Sequence, residues 1–571
     1  MIRKKNDKVN RKRIYFLFTL FLIAFSLISY KLVNIQYIYA SKYKNDAQYQ
    51  HIDESILNSK RGKIFDRNGN ELAISLIERT VYANPQSVVN PDDEAKILAE
   101  ILDVDVNEIA KKLKNKELGF VYIKRKVDAE IAQKIMDVNL PGIYVKNESK
   151  RFYPQDSLAA SVIGFTGIDN NGLSGIELQY EKYLRGVDGK VVAEKDVFGN
   201  VIPGNSQKYV EPVNGDDIVI TIDSQIQFIA EKKLEEVVNE FSAKHGIAVV
   251  MNPKNGDIYA LADYPGFNLN NYEDFDSELY KSLGVSFTYE PGSTFKIINV
   301  ASALDNNCVS SNQMFHLPYR IQVGDREIRE IFRRSNVDYS TKEIIQHSSN
   351  VGAVTVALSM GEKLFWESIK EFGFGELTGV DLTGEEPGLF YDYKSWPKSA
   401  IGALAIGQNI SVTPIQLVRA VGAIANGGYL VTPNIIKEVK IDEDRVTFEE
   451  MDRKVRVLKE ETCSQVKDMM LSVVEDGTGT SAQVEGVKVC GKTGTAEKAN
   501  ENRAGYDEGR VMTSFIGFGP YEDPEVAILV VVDEPIGGEN EIWGGTVAAP
   551  VFSELMEFSL QRLKISGSYN F

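Results

Sequence analysis

Residues 247–262 read Ile-Ala-Val-Val-Met-Asn-Pro-Lys-Asn-Gly-Asp-Ile-Tyr-Ala-Leu-Ala. Two apolar runs, 247–251 and 258–262, flank a polar stretch. Its Asn255-Gly256 pair favours a tight turn, because both residues tolerate positive φ at little cost. The pattern is that of a β-hairpin. A second hairpin lies far downstream, where 514–519 and 527–532 are joined by the proline- and acid-rich 520–525. The apolar stretch 527–532 ends at Asp533, so it reads as a buried strand and not as a membrane span. Ahead of the first hairpin, 217–223 is strongly β-branched and 225–241 carries apolar residues at helical spacing. From residue 214 onward the expected fold is therefore α+β: an antiparallel sheet flanked by helices, with a helical insertion between its strands.

Toward the amino terminus, 34–213 mixes short strands with charged helical patches such as the lysine-rich 110–116. Before it, Arg3, Lys4, Lys5, Lys8, Arg11, Lys12 and Arg13 stand against a single Asp7. Residues 14–30 then carry no charge, and only Lys31 interrupts the apolar character through Val33. Such a run is near the ~17–20 residues that span a bilayer and exceeds the ~7–15 of a signal-peptide core. Ile38-Tyr39-Ala40 is also a poor cleavage site. The expected organisation is a basic tail at 1–13, a single transmembrane anchor at 14–33 and two further regions, 34–213 and 214–571. The positive-inside rule puts the amino terminus in the cytoplasm and the rest outside.

Composition narrows the function. With 64 basic and 81 acidic residues the 571-residue chain carries −17, the wrong sign for a nucleic-acid binder. Hydrophobic residues at 43% and charged residues at 25% are ordinary globular values, not those of a disordered chain. The four His and three Cys (Cys308, Cys463, Cys490) show no metal-ligand spacing and no disulfide framework, so no metal site is expected.

Three short segments carry chemistry. Glu290-Pro-Gly-Ser-Thr-Phe-Lys296 places Ser293 and Lys296 at i and i+3, ahead of apolar Ile297, Ile298 and Val300. If a helix starts after Pro291-Gly292, both side chains share one face and the amine can reach the hydroxyl. A serine hydroxyl is a weak nucleophile until a base takes its proton, and a lysine is that base only when its pKa is depressed. Alone, the pair is as easily a helix-capping serine beside a surface lysine. Ser348-Ser349-Asn350 follows 55 residues later, between two helical stretches. A hydroxyl and a carboxamide two residues apart can face one side of such a turn, although a plain polar turn would look the same. Lys492-Thr493-Gly494-Thr495 reads as a strand that can lie beside an extended ligand, bind its carboxylate and, at Gly494, let backbone approach closely. In this order the three form a specific set.

Other motifs are decoys. Gly486 to Thr493 satisfies the P-loop pattern, but 481–485 is no apolar strand and Thr493-Gly494-Thr495 is a poor helix opening. Gly373 and Gly375 lack the spacing of a dinucleotide fingerprint, and neither HExxH nor GxSxG is present. His347 reads as structural. No cofactor is expected.

With these motifs the sequence resembles the class B penicillin-binding proteins, monofunctional peptidoglycan D,D-transpeptidases, over nearly its whole length. Further landmarks are Arg61-Gly-Lys-Ile-Phe-Asp66-Arg67-Asn68-Gly69, Arg151-Phe-Tyr-Pro154 and Gly172-Leu-Ser-Gly-Ile-Glu177. Ile406-Gly407-Gln408, Thr413-Pro414 and Gly544-Gly-Thr-Val-Ala-Ala-Pro550 complete them. The stretch 72–86 looks closer to the division and spore-cortex branch than to the elongation branch. Nothing before the first landmark resembles a glycosyltransferase domain, so glycan polymerisation is not expected, and appended PASTA modules are not expected after the last.

The resemblance implies a pedestal or dimerisation-type domain at 34–213 and a transpeptidase domain at 214–571. It implies that Ser293 attacks the penultimate carbonyl of a stem pentapeptide ending in D-Ala-D-Ala, with Lys296 taking its proton and Ser348 relaying one to the leaving amine. Asn350, Lys492, Thr493, Gly494 and Thr495 would bind substrate, and the backbone N–H groups of Ser293 and Thr495 would form the oxyanion hole. β-Lactams, a SEDS-family glycan polymerase and other division proteins in the membrane are the implied partners. The rival readings are a serine β-lactamase or penicillin sensor, for which a class A E-x-x-L-N segment is missing, and a non-catalytic divisome scaffold.

Overall fold

The computed structural model describes residues 3–42, 52–195, 201–441, 444–447, 454–500, 505–538 and 541–565. Met1 and Ile2 of the basic tail lie outside these. The chain divides into two compact units, one from 1–59 with 187–214 and one from 60–186 with 215–571.

In the first unit a helix covers Arg3–Val33 and continues as one wider turn, Asn34–Ile38. Its apolar side chains, from Ile14 to Val33, are exposed on all sides. A helix hydrophobic all round has no wet face to offer, which suits lipid. Among the described residues it is the one helix long and apolar enough to cross a membrane, over residues 11–38. The same unit holds a three-stranded antiparallel sheet ordered Ile52–Leu57, Gly189–Lys195, Val201–Val210.

In the second unit the hairpin read from 247–262 forms between His245–Met251 and Ile258–Tyr264, with Gly256 at φ +85° in its turn. It lies at one edge of a five-stranded antiparallel sheet ordered Ile258–Tyr264, His245–Met251, Val526–Asp533, Tyr506–Gly519, Cys490–Ala499. Val526–Asp533, at the centre, is buried along its whole length. Alternation divides the sheet between two cores. Ala248, Val250, Ile528 and Val530 pack with the helices Ser224–Glu240 and Gly544–Arg562. Val249, Met251, Leu529 and Val531 pack with the insertion helices, among them Lys296–Asp305 and Pro414–Ala425.

A second sheet is ordered Asp444–Thr447, Ile436–Ile441, Asp217–Ile220, Ile64–Phe65, Glu71–Ala83, Val121–Val127, and Ile143–Phe152 also pairs with Glu71–Ala83. Ile64–Phe65 and Asp217–Ile220 pair in parallel, so the sheet joins strands from both sides of residue 214. Three landmarks that the sequence holds far apart meet beside it. Arg61 Nε and Arg151 Nε donate to the two oxygens of Glu177 at 2.5 and 2.6 Å, and all three residues are buried. Arg151 also donates to Gly62 O at 2.7 Å, and Arg61 to Glu181 at 2.6 Å. Asp66 accepts from the Asn68 and Asn70 amides, both at 2.8 Å, and from Ser224 Oγ at 2.7 Å, which pins the turn to the start of helix Ser224–Glu240.

Candidate active site

Gly292–Phe295 is one turn of 3-10 helix that runs into helix Lys296–Asp305. The expected helix start is thus a tighter turn that carries Ser293, with Lys296 opening the regular helix. The turn rests on the edge strand of the sheet. A Cβ on Gly292 would lie 2.9 Å from Ala496 Cβ, and one on Gly494 would lie 2.3 Å from Ser514 Oγ and 2.9 Å from Thr294 Cγ2. Gly494 is what lets the two approach. On the other side, Gly292 N donates to Gly407 O at 3.1 Å, and a Cβ on Gly407 would fall 2.1 Å from Gly292 O. The Ile406-Gly407-Gln408 landmark therefore buttresses the turn that carries Ser293.

The second motif follows helix Thr341–Gln346, which opens with a capping box on Ser340 and Glu343. Ser348 sits at φ +56°, a left-handed conformation that a non-glycine residue adopts at some cost and that recurs at functional sites. Ser349 then caps helix Asn350–Met360 by accepting from Gly352 N at 3.0 Å. Asn299 Nδ2, buried one turn after Lys296, donates to Ala353 O at 2.9 Å and Ala405 O at 3.2 Å, locking the motif helices together.

These elements bring all three motifs into contact. Lys296 Nζ donates to Ser348 O and to Asn350 Oδ1, both at 2.7 Å, and reaches Ser348 Oγ at 3.3 Å. From the edge strand Lys492 Nζ lies 2.9 Å from the same Ser348 Oγ and 3.1 Å from Thr493 O. Both lysines are fully buried, at 0% exposure. Burial pushes the Lys296 amine down to about 7, against the opposing pull of Glu330. Lys492 is driven well below the usual lysine range by burial and then by Lys296. Two unneutralised ammonium groups cannot share one hydroxyl in a dry pocket. A neutral Lys296 satisfies its two N–H groups on Ser348 O and Asn350 Oδ1 and keeps its lone pair for a proton.

Ser293 is half-buried, and among the described residues no hydrogen bond reaches its Oγ. The i to i+3 spacing lets the Lys296 amine reach Ser293; here the amine is held by the second motif instead, and the Ser293 hydroxyl stands unengaged. Asn350 is likewise committed, with Nδ2 donating to Arg329 O at 3.0 Å. Thr493 Oγ1 lies 2.8 Å from Thr478 Oγ1, and Thr495 Oγ1 accepts from Gly544 N at 3.0 Å, which brings the start of helix Gly544–Arg562 to the third motif. Among the described residues Cys490–Ala499 pairs with a strand on one side only, so its outer edge can take an extended peptide as an added strand. The His347 ring packs against Tyr339, with 5.0 Å between ring centroids.

Glu330 was not foreseen. It is buried, accepts from Ser349 Oγ at 2.5 Å and from Asn350 N at 3.0 Å, and pairs with Arg334 at 2.7 Å. A lone glutamate after the short strand Arg326–Arg329 carries no motif, so no local signal exposed it. Among the described residues no cluster of metal-ligating side chains occurs.

Comparison with known proteins agrees with this geometry. Residues 246–557 match the penicillin binding protein transpeptidase domain, and 56–220 match the penicillin-binding protein dimerisation domain. The chain belongs to the class B penicillin-binding proteins. It is 36% identical over 567 residues to stage V sporulation protein D of Bacillus subtilis, covering 98% of this chain and 87% of that one. It is 31% identical over 521 residues to peptidoglycan D,D-transpeptidase FtsI of Escherichia coli, covering 89% and 84%. Among solved structures it is similar to a peptidoglycan synthetase from Bifidobacterium adolescentis (TM-score 0.73, 28% identity, 91% of this chain and 98% of that one). It also resembles penicillin binding protein 3 of Mycobacterium tuberculosis complexed with aztreonam (TM-score 0.70, 25% identity, 90% and 98%).

Proposed function

We propose that Ser293 is the nucleophile of a serine D,D-transpeptidase that crosslinks peptidoglycan stem peptides in septal or cortex wall synthesis. The chain is a class B penicillin-binding protein and its enzyme class is peptidoglycan D,D-transpeptidase. The observation that carries the residue assignment is the convergence of Lys296 and Lys492 on one hydroxyl, Ser348 Oγ, beside a half-buried Ser293.

In this reading Ser293 Oγ attacks the penultimate D-alanyl carbonyl and its proton passes to Lys296. The tetrahedral intermediate collapses, the C–N bond to the terminal D-Ala breaks, and the leaving amine takes a proton relayed through Ser348. An amine from a second stem then attacks the ester, forming the crosslink and restoring Ser293. Asn350 exchanges its contact with Lys296 for a substrate amide. Lys492, Thr493 and Thr495 hold the terminal carboxylate, and Gly494 keeps the strand close to the nucleophile turn. Fold and family imply binding of peptidoglycan and β-lactams.

Residues 34–213 act as the pedestal and 214–571 as the catalytic region. The apolar helix makes this a single-pass membrane protein in our reading, and the basic cluster before it favours a cytoplasmic amino terminus. A SEDS-family glycan polymerase is the membrane partner the reading calls for. The test is release of D-Ala from pentapeptide-bearing glycan by the full chain. Ser293→Ala should abolish it while the melting profile is retained; release by the folded mutant at the wild-type rate would remove Ser293 from the mechanism.

A further inference from the structure

We propose that Glu330 is a positioning residue of this site: it fixes the second-motif turn against Lys296 and sets how much positive charge the Lys296–Lys492 pair holds. The inference rests on reading Lys296 as the base.

The geometry is that of a tether. One Glu330 oxygen accepts from Ser349 Oγ at 2.5 Å and Val351 N at 3.3 Å; the other accepts from Asn350 N at 3.0 Å. These donors lie at the first turn of helix Asn350–Met360, where free backbone N–H groups favour an anion. Asn350 is thereby held at both ends, its amide on Glu330 and its Oδ1 on Lys296 Nζ at 2.7 Å. Arg334 Nη2 holds the carboxylate from behind at 2.7 Å and is itself fixed by donation to Leu317 O at 3.1 Å.

The charge argument follows from what else surrounds the pair. Glu290, ahead of the nucleophile turn, accepts from Asn409 N at 2.9 Å, and Glu343, on the preceding helix, is taken by Ser340 at 2.7 Å. His347 packs on Tyr339, while Lys498 and Asp533, farther along the sheet, are paired at 2.8 Å. Glu475, Asp476, Glu497 and Arg329 are exposed. Glu330 is the carboxylate that acts on Lys296, and it acts to raise the amine's affinity for a proton. It therefore opposes the burial that would otherwise strip the pair of charge altogether.

The test is the rate of acylation by a fluorescent penicillin as a function of pH, on the full chain in detergent. The acid limb reports protonation of the base. Glu330→Gln removes a negative charge, so the limb should move to lower pH by about one unit. Arg334→Gln leaves the carboxylate and removes its cation, so the limb should move the other way, by roughly half a unit because Arg334 is farther off and partly exposed. Glu330→Asp keeps the charge and should keep the limb in place, whatever it does to the plateau. Opposite shifts support the proposal, and Arg334→Gln reads it alone should Glu330→Gln not fold. A limb unmoved in the folded variants, with labelling still at Ser293, would overturn the proposal and leave the nucleophile assignment standing. Loss of labelling from wild type on Ser293→Ala tests that assignment separately.

Discussion

Burial of Lys296 is what would let a single side chain serve as the proposed base. A lysine in water holds its proton until about pH 10 and takes none from a serine at neutral pH. Here the amine is fully buried, and burial brings it down to about 7. The acylation rate should thus be near its plateau above pH 8 and fall as pH drops through about 7, because the protonated amine cannot accept the Ser293 proton. Burial of an ionisable amine also costs stability. Its folded pKa is depressed, so between about 7 and 10.5 the unfolded chain binds the extra proton and stability rises with pH across that window. Lys296→Met keeps the bulk and removes the ionisable group. The relief of burying an ionisable amine should roughly offset the loss of its hydrogen bonds to Ser348 O and Asn350 Oδ1, leaving the melting temperature near wild type, with acylation reduced about 10²–10⁴-fold. Scanning calorimetry and penicillin labelling check both halves; a marked loss of stability with acylation preserved would show Lys296 to be structural.

Among the elements, the glycines show why the turns sit where they do. Gly407, at φ +75°, has no room for a Cβ because Gly292 O would lie 2.1 Å away. Gly407→Ala must push the turn that carries Ser293 off the edge strand, and a displacement near 1 Å is enough to cost ~10²-fold in rate. The expected phenotype is a folded protein whose penicillin acylation is ~10²-fold slower, measured by stopped-time labelling; wild-type acylation would mean the landmark has another use. The hairpins, the helix 224–240 and the three motifs were legible in the sequence because each is a local pattern: period-two apolar runs, helical spacing, Asn-Gly, or a fixed i to i+3 spacing. The 3-10 start at Gly292–Phe295 and the left-handed Ser348 were not, since both are imposed by neighbours that lie elsewhere in the chain. Glu330 was invisible for the same reason. Its partners on the second motif are 19 to 21 residues away, and only the folded turn gives the carboxylate a purpose.

Across the whole molecule, sequence landmarks that look unrelated turn out to be one structure. Arg61, Arg151 and Glu177, from three separate motifs, share a single buried ion cluster. A buried guanidinium left without its carboxylate would be costly. Glu177→Ala should destabilise the second unit by about 3–5 kcal/mol, seen as a lower denaturation midpoint. At temperatures where the protein stays folded, acylation should remain close to wild type. An unchanged midpoint would mean the arginines find water or other partners. The overall acidity argues against a nucleic-acid binder from the sequence alone, whereas the register of the second sheet, which joins strands from both sides of residue 214, had no pattern to announce it.

The central claim is that Ser293 becomes acylated and stays so until an amine arrives. Intact-mass spectrometry of the full chain after addition of penicillin, followed over hours beside Ser293→Ala, tests it most directly. One adduct of the drug's mass should appear on the wild type, persist for hours and be absent from the mutant. An adduct that clears within seconds while the drug is consumed would make the protein a β-lactamase, and the same adduct on folded Ser293→Ala would contradict the account outright.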